Sequence, residues 1–120
     1  MLRMSPEAFE TAVEEALASI PEDILAYLDN VVITVEDEPS ADDLVELGME
    51  PDDLLFGLYQ GTPLPEREVS NYAGLPDRIV VFRLPLLEAC ETRRQLLGEI
   101  RDTVIHEVGH YFGFGEEDLP

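Results

Sequence analysis

Three features of this 120-residue sequence predict an α+β fold. Apolar residues recur at helical spacing near the N-terminus, three short strand-like runs follow, and a capped helix of several turns closes the chain. A chain of this length fits one domain, residues 1–120, and can bury a core without disulfide staples. Its 45% hydrophobic and 28% charged residues match a globular protein rather than a disordered one.

The elements follow in order. Ser5 is a natural N-cap and Pro6 suits the first helical position, where a missing N–H costs nothing. Phe9, Val13, Leu17 and Ile20 then repeat at helical spacing. Pro21 ends or kinks this helix, and Ile24, Leu25 and Leu28 predict a second short one reaching Asn30. Val31 to Val35 is β-branched throughout and reads as a strand buried on both faces. Ser40 caps a short helix that Gly48 stops. Leu54 to Gln60 is the second strand, Pro63 to Pro76 a proline-rich loop, and Arg78 to Arg83 the third strand. Pro85 to Cys90 reads as one or two helical turns. Thr92 and Gln95 form a capping box for the final helix, which ends at Gly113.

Charge sets the chain apart. The formal net charge is −20, all seven basic residues are arginine, and nine acids lie between Glu36 and Asp53 without one arginine among them. Such a surface repels nucleic acid and anionic membranes, and it suits a basic protein partner or a cationic substrate segment. A lone cysteine, Cys90, can form no internal bridge and reads as a small buried residue. No apolar run approaches the roughly 20 residues that span a bilayer, and the first residues lack a signal peptide's pattern. A cytoplasmic protein is the expectation.

The chemistry concentrates in His106-Glu107-Val108-Gly109-His110 and the residues just after it. Histidines four apart on a helix share one face, one turn apart. Their imidazoles can converge on one ion at about 2.0–2.1 Å from each nitrogen. Glu107 projects beside that pair, where it is poorly placed as a ligand but can reach a water held by the metal. A left-handed Gly113 would reverse the chain and bring Glu116 back as third ligand, with Glu117 and Asp118 as rivals. Three ligands of mixed nitrogen and oxygen type, with a fourth position open, point to catalytic zinc. The apolar stripe of Leu96, Ile100, Val104, Val108 and Tyr111 leaves both histidines facing away from the core. Asp102, one turn before His106, is a candidate acceptor for its second ring proton. Tyr72, Tyr111 and Arg78 are candidates to stabilise a developing oxyanion.

These residues carry a resemblance. His-Glu-x-x-His-x-x-Gly-x-x-Glu resembles the extended zinc motif of the zincin metallopeptidases. Gly57-Leu58-Tyr59-Gln60-Gly61-Thr62-Pro63-Leu64 and Pro76 to Arg83 resemble two further blocks of a family of short bacterial proteins, the minimal zincins. The likeness covers roughly residues 54–119. It implies His106, His110 and Glu116 as zinc ligands and Glu107 as the catalytic acid/base, although aspartate is the commoner residue where Glu116 stands. It further implies a small sheet packed on a backing helix and a long active-site helix. Extended substrate would lie along an edge strand, either Arg78–Arg83 or Leu54–Gln60. Four residues after Glu116 leave no room for the lower subdomain of larger zincins, which implies an open site. The leading expectation is a zinc-dependent metallopeptidase acting on a peptide or protein. Its competitor is a non-catalytic zinc-containing module that recognises a basic partner through its acidic surface, with mimicry of nucleic acid a third reading.

Overall fold

The computed structural model describes residues 1–61 and 76–113. Helix α1 spans Pro6–Ala18, with Ser5 Oγ accepting from the Ala8 amide at its start. Pro21 cannot donate to a continuing helix and leads instead into α2, Glu22–Leu25, and a 3₁₀ turn, Ala26–Leu28. Strand β1 is Val31–Glu36. Helix α3, Ala41–Glu46, starts at a Ser40–Asp43 capping box and stops before Gly48, whose φ of 71° is open to glycine at little cost. Strand β2 is Gly57–Gln60, β3 is Asp77–Phe82, and α4 is Arg83–Ala89. The final helix α5 runs from Arg93 to Phe112 behind the expected Thr92–Gln95 capping box. Among the described residues no helix is long and apolar enough to cross a membrane.

The three strands form one mixed sheet in the order β1-β3-β2. β1 pairs parallel to β3, Ile33 opposite Ile79, and β2 pairs antiparallel to it, Tyr59 opposite Ile79. Ile79 and Val81 face the helices, joining Phe9, Val13 and Ala16 of α1 and Leu96, Ile100, Val104 and Val108 of α5 in one buried cluster. Cys90 is buried in the same cluster, as expected.

Three expectations need correction. β1 is an edge strand with Val32 45% exposed, so it is not buried on both faces. A run of β-branched residues fits an edge and a centre equally well, and here β3 takes the centre, with Ile79, Val80, Val81 and Phe82 all buried. The second strand begins only at Gly57, because Leu54 and Leu55 do not join the ladder. Arg83 opens α4 rather than closing β3. The proline-rich loop lies, apart from Pro76, outside the described residues.

Candidate metal and catalytic site

The site grows from the packing of α5 against β2. Phe82 donates its amide to the Phe56 carbonyl at 2.9 Å, so the residues of β2 that bond to β3 are the even-numbered ones. The amides and carbonyls of Gly57 and Tyr59 therefore point away from β3, onto the edge of the sheet that is open among the described residues. Their Cα–Cβ directions face α5. A Cβ on Gly57 would stand 2.6 Å from Thr103 Cγ2, and one on Gly61 would stand 2.8 Å from the Tyr111 ring. Glycine at 57 and 61 lets helix and strand approach this closely.

Glu107 bridges the two elements. Its Oε1 accepts the Tyr59 amide at 2.8 Å, which fixes the carboxylate between the helix face and the open edge. Tyr59 is fixed in turn. Its ring stacks on Tyr111 with centroids 3.9 Å apart, and its hydroxyl donates to Asp77 Oδ2 at 2.7 Å.

His106 and His110 are both exposed on one face of α5, with ring centroids 6.4 Å apart. That placement matches the expectation and excludes a core-packing role. The orienting partner of His106 differs from expectation. Its Nδ1 lies 2.9 Å from the backbone carbonyl of Asp102, while the Asp102 carboxylate turns to Arg101 at 3.3 Å. A carbonyl only accepts, so this contact puts the proton on Nδ1 and leaves the Nε2 lone pair for a ligand. Two imidazoles on an exposed face, one of them oriented by a main-chain carbonyl, form a donor set that fits zinc. Among the described residues no group of three histidine, cysteine or acidic side chains gathers to hold an ion. Glu116, Glu117 and Asp118 lie outside the described residues, as does Tyr72.

The fold narrows the other candidates. Arg78 leaves the site, because it alternates onto the sheet face opposite α5 and binds Gln60 at 2.7 Å and Glu36 at 3.5 Å. Tyr111 stays beside His110, held against Tyr59. As the central strand, β3 has neighbours on both edges and cannot accept an added strand, whereas β2 stands at an edge of the described sheet. The Tyr59 amide was missed in the sequence because a main-chain donor carries no residue signature. Gly57 did leave a signal, since glycine inside a strand marks close approach of another element.

A family model described as zincin-like metallopeptidase matches residues 28–120. No curated protein matches the chain. Among solved structures it is similar to a conserved hypothetical protein from Thermus thermophilus. The two share 21% identity with a TM-score of 0.58, over 91% of this chain and 94% of that one. Identity that low speaks for the fold alone.

Proposed function

Since the chain belongs to the zincin-like metallopeptidase family, we propose that it is a zinc-dependent peptidase. His106 and His110 hold the ion, Glu116 completes the set, and Glu107 acts as general base. The observation that carries this reading is the place of Glu107, tied to the open edge of β2 and next to the exposed histidine pair. Zinc there supplies a Lewis acid that polarises a carbonyl and acidifies water.

The chain's own residues do the rest. The outward backbone groups of Gly57 give an extended peptide main-chain partners and so orient its scissile bond, while the Tyr59 amide holds Glu107. Glu107 takes a proton from the attacking water as its oxygen bonds to the carbonyl carbon. The carboxyl then delivers that proton to the amine nitrogen as the C–N bond breaks. The Asp102 carbonyl stands against Nδ1 of His106 and orients that ring.

Glu107→Gln tests the assignment with little risk to the fold, because the amide oxygen of glutamine can still accept from Tyr59. The zinc-loaded variant should keep about one zinc per chain by elemental mass spectrometry and lose peptide hydrolysis, by about 10²–10⁴-fold for a lost general base. His106→Ala should lose the metal. Full activity in Glu107→Gln would sink the mechanism. Failure of the wild type to take up zinc would leave the acidic surface and a basic partner as the better account.

A further inference from the structure

Helix α5 and strand β2 run side by side in the same direction and keep step. Gly57 meets Thr103, Tyr59 meets Glu107, and Gly61 meets Tyr111. Two strand residues advance about 6.6 Å, and four helix residues about 6.0 Å. An extended peptide on the open edge therefore passes about one turn of α5 with every second side chain. Toward the helix N-terminus, the turns before Glu107 carry Asp102 and then Glu99.

Those turns border a groove of about 300 Å³. Leu55, Phe56 and Gly57 line it on the strand side, Thr103, Asp102 and Glu99 on the helix side, and His106 and Glu107 close the end next to the site. Among the described residues that line it, none is basic. From this geometry we propose that the groove is a subsite for a lysine or arginine side chain of the peptide. That residue lies two to four positions from the bond being cut, on the side toward the start of α5. The inference rests on the peptidase reading and names its substrate class.

The chemistry of the groove fits such a side chain along its length. The methylene stem lies over Leu55, Phe56 and the Thr103 methyl, while the cation reaches the carboxylates of Glu99 and Asp102. Glu99 is exposed. Asp102 is held only by a surface pair to Arg101, with its side chain 57% exposed, and an exposed pair of this kind exchanges partners at little cost. An acidic side chain would meet two like charges, and a neutral one would leave both acids to water. The charge of −20 adds a long-range pull on cationic peptides.

The test uses zinc-loaded full-length protein and tetrapeptide hydroxamates, with the metal-binding group at either end. Arginine, leucine or glutamate fills the positions two and four residues from that group. Calorimetric Kd values at low salt should favour arginine over glutamate by about tenfold, the size of two exposed pairs. The preference should fall by about threefold in Glu99→Gln, while zinc content and affinity for the leucine probe hold. Equal binding of all three probes would overturn the subsite and leave the peptidase reading standing. An arginine preference that is undiminished in Glu99→Gln would also overturn it, since the cation would then be held elsewhere on the acidic surface. Failure of every hydroxamate to bind would strike the peptidase reading itself, and the subsite with it.

Discussion

Gly113 and Gly98 stand on the same helix and make opposite demands. Gly113 ends α5 at φ 79°, where a Cβ is strained although nothing lies within 4 Å of it. Gly98 sits inside α5 with open space around its Cα and ordinary helical backbone. Gly113→Ala should cost about 1–2 kcal/mol, and Gly98→Ala should add up to about 1 kcal/mol. Urea unfolding of the two variants tests both signs together. Cys90 gives a second residue-scale expectation. Burial raises its thiol pKa, and the charges of Glu99 and Glu91 raise it further. The folded chain thus favours the protonated thiol. Stability tied to it is complete below the ordinary thiol pKa and is lost as pH rises through the folded value. A thiol reagent at neutral pH should label Cys90 far more slowly in the native protein than in urea, and equal rates would contradict its burial. At this scale the exposed face shared by the two histidines, the caps and the helix stop were legible, because helical spacing and glycine chemistry are written in residue types. The His106–Asp102 contact was not, since the acceptor is a main-chain carbonyl that any residue would supply.

Strand β2 meets α5 through a gap that only glycine leaves open. Gly57→Ala would drive a methyl to 2.6 Å from Thr103 Cγ2 and 3.1 Å from the Val80 carbonyl. It should cost about 1–3 kcal/mol, as overpacked sites do. Adding Thr103→Ser removes the nearer clash and should recover part of that loss, with the Val80 contact keeping the remainder. Thermal melts of the single and double variants decide it, and additive losses would show that the two residues do not meet. Elements were legible where periodicity was strong, as in α1, or where caps marked both ends, as in α5. The strand order was not. Val31 to Val35 and Ile79 to Phe82 are both apolar runs, and nothing local says that the second is central and the first an edge. That ordering decides which strand stands at an edge, so the edge position of β2 emerged only from the sheet.

Across the whole molecule, 27 acidic residues face 7 arginines. Described ion pairs such as Arg78–Glu36, Arg83–Asp37 and Arg93–Glu15 tie down a few of the acids, and most of their side chains are exposed. The remainder repel one another. At 10 mM salt the Debye length of about 30 Å exceeds the 14.8 Å radius of gyration, so repulsion reaches across much of the molecule. At 150 mM it shrinks to about 8 Å. The Tm should rise between these two conditions as repulsion is screened. A fall would mean that the local pairs outweigh the collective repulsion.

The shared step of β2 and α5 also governs which changes in length the site can survive. Removing one residue between Thr103 and Glu107 turns the upper half of the helix by about 100° relative to the lower. Both histidines then leave the face that the strand borders. Removing one residue from β2 flips every later side chain and turns the Tyr59 amide inward toward β3. Neither loss mends the other. The smallest change that keeps both in phase is two residues in the strand together with four in the helix, close to one full turn. Chains built on this pair should therefore vary in length almost anywhere else before they vary here, and an alignment that opens a single-residue gap in either element should be treated as misplaced.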